Sequence, residues 1–381
     1  MTKTLKVFFI ISLRISDKYI ILSIFNKHMK ILFGVFDWGL GHATRDIPLI
    51  EELLKEKNRV DIISTGWALK LLKVHFKGRC RYFDVPSITS PYQGRTSIFL
   101  FNFISIIPQM LVSLRKIRKL SRRIIKEGGY DKIVSDCRYD VHDQKDNSYL
   151  INHQLRFKSV FFTEIFTDLW LAYIMKPYGK ILVPDFPGEG LTGRLSHGLP
   201  FVDKNRIEYL GILSAMKRKN VKKDIDYFIS LSGPEPQRTM LEKQILQKAD
   251  MLHGKIILAG GNPDAEHSFV SNKVKFHSFL SPRQQEDCMN RAKFLIIRSG
   301  YTTIMELCEL GIKSALLIPA PGQTEQEYLA DLYERRGYFH HQHQNRPSIV
   351  KDIEKSRDFK GFRIPWSTKE SVMKFMDILK K

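Results

Sequence analysis

Three glycine-containing turns each follow a short apolar run and open an amphipathic stretch, and each carries side chains able to handle a proton, an anion or a hydroxyl. The first is Trp38-Gly39-Leu40-Gly41-His42-Ala43-Thr44-Arg45. Gly39 and Gly41 allow a sharp turn and close ligand approach, and the helix start beyond offers unpaired N–H groups to negative charge. The third glycine of the dinucleotide fingerprint is missing, so NAD binding is disfavoured. His42 is placed to take a proton from an attacking hydroxyl near neutral pH, or to act only as a turn residue.

The second turn is Ser232-Gly233-Pro234-Glu235-Pro236-Gln237-Arg238. Its Ser232 and Gly233 amides, with Arg238, suit a diphosphate, although an ordinary strand-to-helix turn would look similar. The third is Arg298-Ser299-Gly300-Tyr301-Thr302-Thr303-Ile304-Met305-Glu306, followed by Gly322-Gln323-Thr324-Glu325-Gln326-Glu327-Tyr328. Ser299, Gly300 and Thr302 open a helix whose first amides face a crevice. Glu306, one turn inside, suits two ribose hydroxyls, and Glu325 and Gln326 suit sugar hydroxyls. A capping pattern of Thr302 or Thr303 with Glu306 explains part of this, but not the second cluster. Asp136, Arg138 and Tyr139 follow a short strand, at the end where α/β sites lie. With His153, Gln154, Asp185 and His197, they are candidate acceptor contacts. Asp224-Ile225-Asp226 reads as a solvated charge pair rather than a metal motif.

These turns need a scaffold that delivers strand ends to one place. Apolar runs at Ile31–Phe36, Val60–Ser64, Ile133–Ser135, Tyr227–Leu231, Lys255–Ala259, Phe294–Ile297 and Ser314–Ile318 alternate with helical stretches. The helices are read at Thr44–Lys55, Ala68–Val74, Arg238–Lys248, Gln284–Arg291, Thr303–Leu310 and Lys369–Lys381. That rhythm predicts an α/β protein with parallel sheets covered on both faces. At 381 residues two domains are expected. We place an N-terminal extension at 1–28, Rossmann-like domains at 29–215 and 216–360, which the resemblance given below makes the acceptor side and the donor-binding side, and a C-terminal helix at 361–381. The basic stretch Lys217–Lys223 marks the linker.

Composition narrows the function classes. With 43% hydrophobic and 27% charged residues, the chain suits a globular protein rather than a disordered one. Four cysteines without paired spacing point to reduced thiols in a cytoplasmic protein, with neither a disulfide framework nor a metal site. The net charge of +21 favours an anionic substrate or membrane surface. Nucleic acid is disfavoured, because no recognition motif is present. Residues 1–28 are broken by Arg14, Asp17 and Lys18 and cannot span a membrane; they read as an upstream start or an interfacial segment. Ser97–Leu114 is largely apolar and runs into Arg115, Lys116, Arg118, Lys119, Arg122 and Arg123. That pattern fits a peripheral contact with an anionic membrane, or a core helix with a basic end.

The third turn, with its downstream Gly311, Pro319 and Glu325-Gln326 before an aromatic, resembles the donor segment of MurG-like glycosyltransferases. These are GT-B enzymes with two facing Rossmann-like domains and a cleft between them. Gly-His-Ala-Thr-Arg and Ser-Gly-Pro-Glu-Pro-Gln-Arg further resemble a group of uncharacterised glycosyltransferases. The resemblance implies metal-independent, inverting transfer from a nucleotide-sugar, UDP-linked, to a hydroxyl acceptor, lipid-linked compounds included, with no cofactor. It implies diphosphate contacts from Arg298, Ser299, Gly300 and Thr302, with Thr303 beside them. Glu306 would hold the ribose, Gln323, Glu325 and Gln326 the sugar, and the Phe279–Leu280 backbone would face uracil. The Ser232–Arg238 turn would lie beside the diphosphate. His42, or else Asp136, is the base, and Gly39, Gly41, Arg45, Arg138, His153 and Asp185 line the acceptor side. Leu40 between the two glycines departs from the family's Gly-Gly-His. A UDP-sugar 2-epimerase and a catalytically silent membrane-docked subunit are the competing readings.

Overall fold

The computed structural model describes residues 28–87, 99–156, 161–265, 267–270, 273–345 and 348–381, with backbone alone for 99–111 and 161–163. The first sheet comprises β1 (Lys30–Val35), β2 (Arg59–Ser64), β3 (Arg81–Asp84), β4 (Lys132–Asp136), β5 (Ser148–Ile151), β6 (Lys180–Val183) and β7 (Ile207–Tyr209). Its helices are α1 (Gly41–Lys55), α2 (Gly66–Phe76), α3 (Phe99–Gly128) and α4 (Phe161–Met175). The second sheet comprises β8 (Ile225–Ser230), β9 (Ile256–Ala259), β10 (Ser268–Val270), β11 (Val274–His277), β12 (Ala292–Ile297), β13 (Ala315–Leu317) and β14 (His340–His341). With it go α5 (Gln237–Lys248), α6 (Pro282–Arg291), α7 (Tyr301–Leu310), α8 (Thr324–Arg335), α9 (Ile349–Lys355) and α10 (Thr368–Lys380).

The strand orders are β3-β2-β1-β4-β5-β6-β7 and β10-β11-β9-β8-β12-β13-β14. Every pairing is parallel except β10 with β11. Central strands are apolar along their length, as strands covered on both faces must be: Ile31 to Phe33 and Val35 of β1, and Leu295 to Ile297 of β12, are buried. The order reverses direction between β1 and β4 and again between β8 and β12. Such reversals open crevices at the carboxyl ends of the strands. Each crevice faces the other domain.

Local signals fix several helix ends. Ser281 and Gln284 form a capping box with Pro282 at the first helical position of α6, and Gly311 ends α7 in the left-handed region at φ 65°. The last helix returns to the first sheet's side. Phe375 and Leu379 of α10 are fully buried, Trp366 Nε1 donates to Leu210 O at 2.8 Å, and Lys380 reaches Glu56 at 2.8 Å.

The expected strands and helices lie within a few residues of observed ones, while the middle of the chain holds more order than the sequence suggests. The sequence reading places no helix at α4, whose apolar residues fall on every side and give no helical stripe. The apolar part of Ser97–Leu114 lies on α3, with residues 97 and 98 and the side chains through 111 outside the described residues. The basic end is exposed apart from Arg118, which bonds Asp140 O and His142. Residues 1–27 of the expected extension are likewise outside the described residues. No helix among the described residues is long and apolar enough to cross a membrane.

Candidate functional site

The end of β1 and the end of β4 are in register, Val35 opposite Asp136, so the turn after β1 delivers His42 to the carboxylate of Asp136. His42 Nδ1 lies 2.8 Å from Asp136 Oδ2, and the ring is 16% exposed. Arg45, one turn further along α1, donates Nε to Asp136 Oδ2 at 2.9 Å and Nη2 to Oδ1. Its Nη1 lies 2.9 Å from His153 Nδ1, and His153 Nε2 lies 3.3 Å from Glu325 Oε1 of α8. Arg45 and Asp136 are both fully buried.

Charges and tautomers follow. Burial alone would raise the Asp136 carboxyl, but Arg45 and then His42 outweigh it and hold it ionised, well below the usual range. Two groups compete for His42 Nδ1, the ionised Asp136 at 2.8 Å and the Arg45 Nη2 donor at 2.9 Å. With the carboxylate as its partner the ring carries its proton on Nδ1 and leaves Nε2 unprotonated, with no partner among the described residues. Burial lowers the His42 pKa; Asp136 opposes this and the Arg45 cation, 2.9 Å away, assists it. His42 is therefore a neutral imidazole aimed by a carboxylate. Arg45 donates to His153 Nδ1, so His153 donates through Nε2 to Glu325. Burial would raise the Glu325 pKa, but His153 brings it below its ordinary value. A hydrogen-bonded line thus runs from Asp136 through Arg45 and His153 to the second domain. Tyr301 reinforces it, its ring stacked on His153 at 4.7 Å and its hydroxyl donating to Pro184 O at 2.6 Å.

The matching turn of the second sheet stands opposite. A Cβ at Gly41 would lie 2.8 Å from Thr302 Oγ1, so the amino ends of α1 and α7 abut, and any larger residue there would have to displace the Thr302 side chain. The first amides of α7, Tyr301 to Thr303, precede its hydrogen-bonded ladder and point outward. Glu306 is 7% exposed and bonds nothing among the described residues; burial raises its carboxyl to about 8. An unpartnered buried acid is costly and marks a place where a ligand is to supply partners. Ser232 and Gly233 are exposed, Gly233 at φ 105°, while Phe279 is half-buried and Leu280 buried at the end of β11.

Several expected contacts hold the frame instead. Arg298 is buried against four carbonyls, those of Ser232, Gln237, Ile318 and Pro319, at 3.1 to 3.3 Å, and so ties these loops together. Arg238 is bound by Gly260 O and Glu235. Ser299 Oγ donates to Gln326 O, and the Gln326 amide bridges Ala320 N and Gln323, which braces the 319–323 turn. On the acceptor side Arg138 makes a bidentate pair with Asp140, and Asp185 accepts from Phe186, Leu191 and Thr192 to shape its own loop. His197 joins the Asp185 loop, and Gln154 N bonds Asn152. Asp224 pairs with Arg291 and Lys255, and Asp226 with Lys293.

Sequence reasoning missed Asp46. Both carboxyl oxygens are buried and meet no donor. Burial, then the neighbouring Asp136, push its pKa far up against the pull of Arg45, so Asp46 holds its proton. The signal was an acid between Arg45 and Ile47 on the apolar face of a helix. Cys137 follows at φ 53°, its thiol pushed well up by burial. His42, Asp136 and Cys137 offer ligand atoms within 4.8 Å of one another, but the Arg45 cation holds both Asp136 oxygens, which disfavours a dication there.

No family model matches the chain. An uncharacterised glycosyltransferase of Methanosarcina mazei is 25% identical over 338 residues, covering 81% of this chain and 85% of the relative. Among solved structures, the spinosyn rhamnosyltransferase complexed with thymidine diphosphate aligns at TM-score 0.58 and 12% identity, over 92% of this chain and 96% of its own. MurG of Acinetobacter baumannii aligns at TM-score 0.51 and 11% identity, over 91% and 94%. These likenesses show the fold: two facing Rossmann-like domains in the GT-B arrangement.

Proposed function

We propose that the chain is a glycosyltransferase that moves a hexose or N-acetylhexosamine from a nucleotide diphosphate donor, UDP-linked, to an acceptor hydroxyl. The observation that carries this reading is the neutral His42, aimed by Asp136 and set where the amino ends of α1 and α7 meet. His42 Nε2 takes the hydroxyl proton as the acceptor oxygen attacks the anomeric carbon, and the bond from that carbon to the diphosphate oxygen breaks on the opposite face, with inversion. The bonding pair leaves with the diphosphate. The amides of Tyr301 to Thr303, with those of Ser232 and Gly233, receive the charge that builds there. Glu306 accepts the ribose hydroxyls, which supply the partners its buried carboxyl lacks. No step calls for a metal. The exposed basic face of α3 supports contact with an anionic membrane, and with it a lipid-linked acceptor.

The test is a thermal-stability screen of the full chain with UDP-, GDP- and dTDP-sugars, followed by product analysis with alcohol acceptors. At a hundred times Kd a donor adds about 2.7 kcal/mol of stability. Stabilisation by one nucleotide class, with nucleoside diphosphate released only when acceptor is present, is the expected result. Conversion of the donor sugar without acceptor would favour an epimerase, and no stabilisation by any nucleotide would sink the proposal.

A further inference from the structure

Away from His42 the two domains enclose a second cavity, of about 510 Å³, between α8 and the loop that follows β6. Four guanidiniums line it: Arg156 and Arg194 from the first domain, Arg335 and Arg336 from the second. Three carboxylates pair with them, Glu164, Glu189 and Asp168, which leaves one guanidinium in excess. Glu164 Oε1 is shared between Arg194 at 3.5 Å and Arg156 at 3.7 Å, and Glu189, 87% exposed, pairs with Arg336 at 3.3 Å. Arg156 is fixed by Asp168 at 2.9 Å and Arg336 by Gly190 O at 2.7 Å, while Arg335 has no hydrogen bond or ion pair among the described residues. Arg194 is 73% exposed, its backbone N–H held by Tyr328 Oη at 2.8 Å. Two anchored cations, one loosely paired and one unpaired, thus converge on one space. Glu325, which meets His153, begins the same helix, ten residues before Arg335 and about 15 Å away along the axis. Tyr328 stands between the two places.

We propose that this cavity is an anion site for a phosphate or diphosphate group, gripped from both domains at once. Planar guanidiniums pair with phosphate oxygens two at a time, and the volume suits a small phosphorylated ligand. Occupancy adds charge-assisted bonds across the domain boundary, so the bound anion favours the closed arrangement. The phosphate has two sources. One is a soluble ligand. The other is a lipid headgroup, because α4, whose first turn carries Glu164, exposes Phe166, Leu169 and Tyr173 beside the cavity. The inference stands apart from the transferase reading, since its readout is binding rather than turnover.

The test titrates the full chain with pyrophosphate by calorimetry, at low and at high salt, and compares it with an Arg194→Ala/Arg335→Ala double variant. Both replaced side chains are exposed, so folding is preserved. A loss of tenfold or more in pyrophosphate affinity in the double variant supports the site. No binding by the unaltered chain, or equal binding by both, overturns it, the latter because pyrophosphate then sits elsewhere, such as the start of α7. A second arm uses vesicles containing phosphatidic acid. Vesicle binding that needs the two arginines and is competed by pyrophosphate assigns the headgroup as source, whereas pyrophosphate binding without vesicle binding assigns a soluble ligand.

Discussion

The amino ends of α1 and α7 occupy equivalent places in the two domains yet are finished in opposite ways. Around α1 the charged groups that face the crevice are paired, Asp136 with Arg45 and His42, and Arg45 with His153 in turn. Around α7 the polar groups are left open, with amides aimed outward, Thr302 and Thr303 without hydrogen bonds among the described residues, and Glu306 alone. One side is arranged before any ligand arrives, as proton transfer in a fixed direction requires. The other is incomplete by itself and gains most from a partner with hydroxyls and negative charge. Low-dielectric surroundings make both arrangements consequential.

Breaking the first side should have the largest effects. Replacing His42 with Ala should lower kcat by about 10²- to 10⁴-fold, the usual contribution of a general base, while donor-induced stabilisation stays near that of the unaltered chain. A parallel loss of donor binding would show that His42 serves the frame. Asp136→Asn removes the counter-charge of a fully buried Arg45, and the expected cost is about 3 to 5 kcal/mol of stability, read by urea unfolding. A smaller change would mean that water reaches Arg45.

The second side should respond more gently and with a distinct dependence on pH. Glu306 holds its proton up to about 8, against about 4.3 in the unfolded chain, so the folded state binds the extra proton between those values. Stability of the free chain therefore falls as pH rises through that window. Glu306→Gln should flatten that fall and weaken donor affinity by about two- to tenfold, the worth of one neutral hydrogen bond. Unchanged donor affinity would remove Glu306 from the ribose. Because the His42 pKa is lowered, the acidic limb of kcat/KM should lie below pH 6.5, and a limb above 7 would contradict the neutral imidazole. Smallest of all, Asp46→Asn should leave kcat/KM within about threefold, since a neutral amide replaces an already neutral acid of the same size. A large loss would mean that Asp46 is ionised.

Much of this contrast is readable from the chain alone. Gly39, Gly41 and His42 after an apolar run, and Gly300 before Thr302, announce a strand feeding a helix, and two such units predict two sheets. The roles of the arginines do not announce themselves. Arg298, Arg238 and Arg138 look like anion ligands by type, but each is claimed by carbonyls or carboxylates brought from distant segments, and local spacing carries no record of those. Asp185 and Gln326 are likewise engaged by their own loops. Glu325 meets His153 only because two domains dock, a contact across 172 residues. The α4 helix escapes notice because a stripe cannot be seen where every side is apolar.

The return of α10 to the first sheet means that the polypeptide crosses between the domains twice, once after β7 and once before Thr368. A body tethered at two points cannot swivel freely; it can only rock about the line joining the tethers. Such a hinge confines relative motion to opening and shutting, and each closing stroke returns Thr302 to the same spot against Gly41.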